Sequence, residues 1–224
     1  MVQFHPPDEL LLGYAAGSLS EPWSVLVATH LTLCPDCRLA AADLDEIGGL
    51  VIEDVTPVAM SPVALTSVMA AVGQASYVVG VQDATAVFPF LDLAVGDPPL
   101  PRPLASYLDR AGTPSTWRTL LPGVQEIALP AHAASGRPSL MRIRPGFPVP
   151  QHTHVGSEAI ILLAGGYSDG LGDYRRGDVS FADGRHEHRP VAHRDAVCLC
   201  FMVTDAPVRF TGVIGRLLNV FNRP

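Results

Sequence analysis

Two histidines and a glutamate stand close together in the second half of the 224-residue chain. His152 and His154 are two positions apart, and side chains at that spacing in a β-strand point to the same face. The step Val155-Gly156-Ser157 lets the chain bend, which would bring Glu158 to the same point. Two imidazoles and one carboxylate form part of a coordination shell for a first-row metal. The sequence therefore predicts a metal site that needs a fourth ligand from elsewhere.

Two histidines further along the chain are alternatives for that fourth ligand. His186 and His188 are also two residues apart, so both could point to the same face of an extended segment. His188 is followed, after Arg189, by Pro190. The residue types alone leave both histidines open.

The pattern G-x5-H-x-H-x3-E-x6-G, which begins at Gly146, resembles the first motif of the cupin superfamily position for position. The second motif would run from Gly177 to a histidine, and His188 holds that position. Asp183 and Arg185 replace the proline and glycine that the family usually has, so the loop departs from the motif. The resemblance implies a cupin β-barrel or double sheet with four metal ligands: His152, His154, Glu158 and His188. The family suggests zinc, and this ligand set also suits Fe(II), Mn(II) or Ni(II).

A second set of metal-binding residue types lies near the amino terminus. His30, Cys34 and Cys37 are spaced i, i+4 and i+7, so on a helix they lie within one narrow stripe. Three such ligands and one distant histidine complete a tetrahedral zinc site. His5 is the natural fourth ligand, because His30 is the other histidine in the first 131 residues. We therefore expect a zinc site formed by these four residues.

The first 82 residues are predicted to be helical. Helices are expected at residues 8 to 17, from Ser20 to about Ile47 with a distortion around Pro35 and an end at Gly48-Gly49, and from Ser61 onward. The last helix places four apolar residues at i, i+3, i+4 and i+7: Leu65, Val68, Met69 and Val72. This stripe could pack on its own domain or on a partner.

The spacing H-x24-H-x3-C-x2-C, together with the phrases YAAGSLSE and VATHLTLCPDC, resembles the zinc-binding domain of ChrR-type anti-sigma factors. That family joins this domain to a carboxy-terminal cupin, so the resemblance covers essentially the whole chain. It implies that an extracytoplasmic-function sigma factor is bound and inhibited by the zinc domain, with help from the helix that begins at Ser61. It further implies that the cupin senses singlet oxygen or a peroxide and promotes release of the sigma factor.

Charge is unevenly distributed along the chain. Residues 1 to 85 contain ten acidic residues and one arginine, a net charge of −9, whereas the remainder has a net charge of +2. The acidic part disfavours nucleic acid as a direct partner and suits a basic protein surface, or it serves only solubility. The start lacks a signal-peptide pattern, and four cysteines without one favour reduced thiols in the cytoplasm. The apolar stretch 63 to 81 contains too many polar residues for us to expect a membrane span.

The predicted architecture is a two-domain α plus all-β protein. It comprises a zinc-stabilised helical anti-sigma domain at 1–82, a proline-rich linker at 83–103 and a cupin domain at 104–224. Strands are expected at 117–129, 139–145, 158–164, 178–182 and 197–203. Cys198 and Cys200 share one face of the last strand, where we expect small buried apolar groups rather than a redox pair.

We expect a regulator rather than an enzyme, with a small molecule or an oxidant as the ligand of the cupin. The alternative is a cupin dioxygenase or isomerase with a fused zinc module, because a metal with open coordination positions is compatible with such chemistry.

Overall fold

The computed structural model describes residues 1–74, 99–112, 116–130 and 136–211. The helices of these ranges are α1 (Asp8–Ala15), α2 (Glu21–Leu33), α3 (Pro35–Glu53), α4 (Ala64–Gln74) and α5 (Arg102–Arg110). The strands are β1 (Arg118–Leu121), β2 (Val124–Ala128), β3 (Arg137–Ile143), β4 (His152–Thr153), β5 (Glu158–Ala164), β6 (Gly166–Ser168), β7 (Asp173–Arg175), β8 (Val179–Ala182), β9 (Glu187–His188), β10 (Val191–Ala192), β11 (Cys198–Thr204) and β12 (Arg209–Phe210). Most of the predicted linker, 83 to 98, lies outside the described residues, and the domain boundaries stay predictions.

The strands form one large and two small antiparallel sheets. The large sheet has the order β1-β2-β3-β11-β5-β8, and the small sheets have the orders β10-β6-β7 and β12-β4-β9. Every residue of β5 is buried, as its unbroken apolar run after Glu158 requires of a central strand. This arrangement, with helices before the sheets, confirms the predicted fold class.

The predicted strand 117–129 is a hairpin rather than one strand. The chain turns between Leu121 and Val124, and β1 pairs antiparallel with β2. Gly123 has φ 107°, a backbone conformation that side-chain-bearing residues rarely adopt. The dipeptide Pro122-Gly123 is a turn signal in the sequence, so the prediction missed local information.

The prediction of a single helix from Ser20 to Ile47 is wrong. The chain leaves the helical conformation at Cys34, which has φ −116° and ψ 105°. The cause is Pro35, because a proline disfavours helical geometry in the residue before it and suits the first position of a new helix. Gly48-Gly49 does not end α3 either, which continues to Glu53. Glycine inside an exposed helix costs only about 1 kcal/mol relative to alanine and forces no break.

The helices pack directly against the large sheet. Trp23, Val25 and Leu26 of α2 join one buried apolar cluster with residues of α5 and with Ile161 and Phe201 of the sheet. The opposite side of α2 belongs to a second cluster, which includes Leu11 of α1 and both amino-terminal cysteines. Helix α2 therefore lies between the sheet on one side and helices α1 and α3 on the other.

Helix α4 and the second half of α3 are not covered in this way. The four residues of the predicted α4 stripe are 59 to 68% exposed. Ile47, Leu50, Val51 and Ile52 of α3 are exposed to a similar degree. We call these eight residues the exposed apolar face. Across the ranges that the structure describes, no helix has both the length and the apolar character needed to cross a bilayer.

Candidate metal centres

The amino-terminal helices bring four potential ligands together, and we call this group the first cluster. Its members are His5, His30, Cys34 and Cys37, whose ligand atoms all lie within 4.8 Å of one another. His5 precedes α1, His30 lies in the last turn of α2, and the cysteines flank the start of α3. The Nδ1 atom of His5 is 3.4 Å from Cys34 Sγ and 3.2 Å from Cys37 Sγ. Separations of this size suit a tetrahedral ion with bonds of about 2.0 to 2.3 Å.

The break between α2 and α3 shapes this cluster. Because Cys34 stands in the gap, its Sγ caps α3 and accepts a hydrogen bond from the backbone N–H of Cys37 at 3.5 Å. The helical stripe predicted from i, i+4 and i+7 spacing thus does not exist as such. The turn between the two helices brings the same residues together instead.

His30 is fully buried and is oriented by the sheet. Its Nδ1 lies 2.8 Å from the carbonyl oxygen of Gly177, which can only accept, so Nδ1 carries the proton. Nε2 then has a free lone pair, and it is buried without a hydrogen-bond partner. Burial lowers the pKa of His30, which keeps the ring neutral. An orphaned, buried, neutral imidazole nitrogen next to two thiols is well suited to a metal ion.

Cys34 and Cys37 are only 1% and 6% exposed. Without a metal, burial and the neighbouring Cys34 raise the pKa of Cys37 to about 12. A bound cation would reverse this preference, because thiolates are the form that ligates metals. The first cluster therefore has the donor set and the geometry of a closed structural zinc site.

A second cluster lies among the small strands of the sheet domain. Its members are His152, His154, Glu158 and His188, which are all buried and whose ligand atoms lie within 4.8 Å of one another. His152 on β4 pairs directly with His188 on β9. Glu158 is the first residue of β5.

The imidazole nitrogens of this cluster face each other at short range. His188 Nε2 is 3.0 Å from His152 Nε2 and 3.2 Å from His154 Nε2. Two of the three remaining ring nitrogens already have acceptors: His152 Nδ1 donates to Pro150 O at 2.9 Å, and His188 Nδ1 donates to Asp169 Oδ2 at 2.7 Å. His154 Nδ1 is buried without a hydrogen-bond partner. Two bare Nε2 lone pairs at 3.0 Å repel each other unless a cation lies between them. The residues present therefore fit a metal ion.

Two histidines of the second cluster are already in the neutral form that binds a metal, whereas Glu158 binds a metal only after it loses its proton. Burial lowers the pKa of both His152 and His154 to about 4, so both rings are neutral at pH 7. Burial raises the pKa of Glu158 to about 7. Its Oε2 is 3.7 Å from His154 Nδ1.

Of the two histidines left open by the residue pattern, His188 is the one that joins the others. His186 instead places its Nδ1 2.9 Å from Asp183 Oδ1, and its side chain is 34% exposed. The two histidines differ because His188 lies in β9, whereas His186 precedes that strand in a turn whose backbone N–H donates to Asp183 O at 2.9 Å.

Asp169 is a functional residue that the sequence analysis missed. Its side chain is fully buried and holds His188 by the hydrogen bond given above. Burial alone would raise its pKa, but the hydrogen bonds from His188 and from the backbone N–H groups of Leu171 and Gly172 lower it. The only sequence signal was Asp169-Gly170, which we read as a turn.

A cavity of about 590 Å³ adjoins the second cluster. His152 and Glu158 form part of its wall, and the rest is largely apolar and rich in sulfur, with Met141, Met202 and Cys200. Cys198 and Cys200 are free and buried, in line with the expectation of small apolar groups. The cavity could accept a small apolar molecule beside the cluster.

Comparison with known proteins agrees with the predicted family. Residues 112–207 match the family described as the ChrR Cupin-like domain. The chain is 39% identical over 222 residues to the anti-sigma-E factor ChrR of Cereibacter sphaeroides, which is 99% of each chain. It is also similar to a chain in the crystal structure of Rhodobacter sphaeroides SigE in complex with the anti-sigma ChrR, with a TM-score of 0.73, 38% identity, and coverage of 92% of this chain and 100% of that chain. Identity at this level along nearly the whole of both sequences means that the chain belongs to the ChrR family of anti-sigma factors.

Proposed function

We propose that this protein is a cytoplasmic anti-sigma factor that binds an extracytoplasmic-function sigma factor and keeps it inactive. The observation that carries the proposal is the exposed apolar face of α3 and α4, defined above. Eight large apolar side chains left exposed on two consecutive helices of a folded protein indicate an interaction site. A relative that shares 38% of its residues was crystallised as a complex with SigE.

Charge supports the same partner. Asp43, Asp45 and Glu46 are exposed on α3 close to the apolar residues, and Glu53 and Asp54 follow at its end. An apolar face with an acidic border suits a partner with a basic border and disfavours direct contact with nucleic acid. The protein acts as a regulator rather than an enzyme, as its family does.

The two clusters are proposed to bind one metal ion each. At the first cluster we expect zinc with a structural role, because four N and S ligands leave no open position. At the second cluster, three imidazoles and one carboxylate suit zinc, iron, manganese or nickel. When bound there, the metal supplies a Lewis-acidic centre beside the apolar cavity, and the protein side chains hold it.

The cupin domain is the proposed sensor of oxidative stress, either singlet oxygen or a peroxide. Access supports this assignment, since the second cluster adjoins the cavity of about 590 Å³ whereas the first cluster's thiols are nearly inaccessible. A small oxidant can thus approach the second cluster without unfolding the helices. Binding or reaction there would then weaken the hold on the sigma factor.

Transcription in vitro tests the inhibition. The purified full-length chain should block transcription by core RNA polymerase with its extracytoplasmic-function sigma factor, and should leave transcription with the housekeeping sigma factor unaffected. Co-purification from the native cell should recover the same sigma factor. A chain that carries both metals but neither binds nor inhibits any such factor would contradict the proposal.

Reporter transcription in cells tests the sensor. His152→Ala and His188→Ala should keep basal inhibition and respond weakly to singlet oxygen or a hydroperoxide, because the exposed apolar face lies outside the second cluster. His186→Ala is the matched control, since its side chain belongs to neither cluster. Full induction in both cluster variants would assign sensing to the cysteines of the first cluster.

A further inference from the structure

The two metal clusters are connected by an unbroken series of contacts that begins at His188. Its Nδ1 donates to Asp169 Oδ2 at 2.7 Å, and both side chains are essentially inaccessible to solvent. Any shift of this imidazole on metal binding must therefore be accommodated by Asp169, because no water can take its place.

Asp169 in turn organises the loop of residues 169–172 between β6 and β7. Its Oδ1 accepts from the backbone N–H of Leu171 at 2.8 Å and of Gly172 at 3.0 Å. The backbone N–H of Asp169 donates to Gly172 O at 2.9 Å, which closes the loop. Three hydrogen bonds thus make the position of Gly172 depend on the position of Asp169.

Gly172 lies directly against the amino-terminal segment. A Cβ atom at this glycine would be 2.6 Å from Cζ of Phe4, so the ring rests on the loop backbone. The same ring packs on Tyr174 with 4.5 Å between centroids. The Phe4 backbone is fixed as well, since its N–H donates to Asp178 Oδ1 at 3.1 Å and its carbonyl accepts from the N–H of Val179 at 3.0 Å.

The residue after Phe4 is His5, a member of the first cluster. His30, the other histidine of that cluster, is held by Gly177 O, one position before Asp178. Both histidines of the first cluster are therefore positioned by contacts with the connection between β7 and β8, whereas both cysteines are positioned by the helices. Two of the four ligands of this site are thus oriented by the sheet domain.

We propose that metal binding at the two clusters is energetically coupled through the loop 169–172, with Phe4 as the positioning residue that transmits the loop's position to His5. The inference rests on the proposed binding of metal at both clusters and is independent of sigma-factor binding. Coupling of this kind requires a contiguous network and is reciprocal: filling either cluster raises the affinity of the other by the same factor. It gives the cupin a route to the zinc domain that does not depend on the linker.

Cobalt(II) is the probe, measured on the purified full-length chain. Only the first cluster has sulfur ligands, so the near-ultraviolet thiolate-to-cobalt charge-transfer band reports that site alone. Titration against a competing chelator then gives its affinity, with the second cluster intact or disabled by His152→Ala. We expect His152→Ala to weaken cobalt binding at the first cluster by roughly five-fold or more, the lower end of common coupling.

The same pair of titrations in a Phe4→Ala background decides the route. In the Phe4→Ala background, we expect His152→Ala to change the cobalt affinity of the first cluster by less than about two-fold. In a Phe4→Leu background, part of the wild-type effect should return. Leu171→Ala is the matched control, because this exposed side chain is in the same loop and only its backbone contacts Asp169. In the Leu171→Ala background, His152→Ala should weaken cobalt binding at the first cluster as much as it does in the wild type.

Gly172→Ala perturbs the same contact from the cupin side, so it should also reduce the effect of His152→Ala on cobalt affinity at the first cluster. This variant tests the route if Phe4→Ala itself binds no cobalt. Equal affinity of the first cluster with and without His152 would overturn the proposal. Coupling that persists in both Phe4→Ala and Gly172→Ala would overturn the route. Neither result bears on inhibition of the sigma factor, which is measured separately by transcription.

Discussion

At the scale of single residues, three of the five histidines in the two clusters are oriented for metal binding by acceptors behind them. Gly177 O, Pro150 O and the Asp169 carboxylate each take the Nδ1 proton of one ring. In each of these rings Nε2 is therefore unprotonated, and its lone pair is free to bind a metal. Such partners behind the ligands fix the tautomer and the ring orientation before a metal arrives.

Metal content tests the two clusters directly. The wild-type chain should contain two metal ions by elemental analysis, Cys34→Ala should lose one, and His152→Ala should lose the other at saturating metal. Coupling changes affinity and not the number of sites, so each variant keeps its remaining ion. His186→Ala should keep both. One ion in the wild type, or loss of both in one variant, would refute the two-site arrangement.

Asp169→Asn should weaken metal binding at the second cluster by about 10- to 100-fold, because the neutral amide holds the His188 N–H less strongly. Competition with a chelator measures this affinity. Asp173→Asn, at an exposed carboxylate in β7, is the control and should bind as tightly as the wild type. Unchanged affinity in Asp169→Asn would mean that this carboxylate only stabilises the loop.

At the scale of secondary structure, the helices differ in which of their surfaces are buried and which are exposed. Helix α2 is buried on two sides, against the sheet and against α1 and α3. The second half of α3 and all of α4 contribute the exposed apolar face. The break at Cys34 separates these roles, because it lets α3 leave the direction of α2 while keeping both cysteines at the first cluster.

Val68→Asp in α4 should abolish binding of the sigma factor, since a carboxylate cannot be buried in an apolar contact without a large desolvation cost. Its effect on the stability of the free protein should stay within about 0.5 kcal/mol, because the side chain is exposed. Leu12→Asp, at a comparably exposed position on α1, is the control. Calorimetric titration with the sigma factor and thermal unfolding measure the two effects. Full affinity in Val68→Asp would place the interface elsewhere.

At the scale of the whole molecule, the amino-terminal helices and the large sheet share a core. Leu26 of α2 is completely buried in the cluster that also contains Phe201 of β11. Arg110 of α5 and Glu21 of α2 add an exposed ion pair at 2.8 Å, which contributes little. The cupin is thus held to the helices by packing, beyond any tether that the linker provides.

Leu26→Ala should lower the unfolding free energy by about 2 to 5 kcal/mol, the usual cost of a cavity at a fully buried leucine. Helix and sheet signals should shift together in a circular-dichroism melt, because the lost contact is common to both. Leu12→Ala should leave the melt nearly unchanged. A shift in the helical signal alone would show that the two parts unfold independently.

From the sequence alone one could predict seven of the eight residues that gather in the two clusters, a helical region followed by a strand-rich region, and the family resemblance. Those properties depend on local spacing: i, i+2 in a strand, a short bend before Glu158, and runs of apolar residues that must be buried. The tertiary structure decided what depends on residues far apart in sequence. It selected His188 over His186, placed Asp169 behind it, packed α2 on the sheet and laid Phe4 on Gly172. None of these contacts follows from local periodicity, because each depends on strand register and on where two distant loops meet.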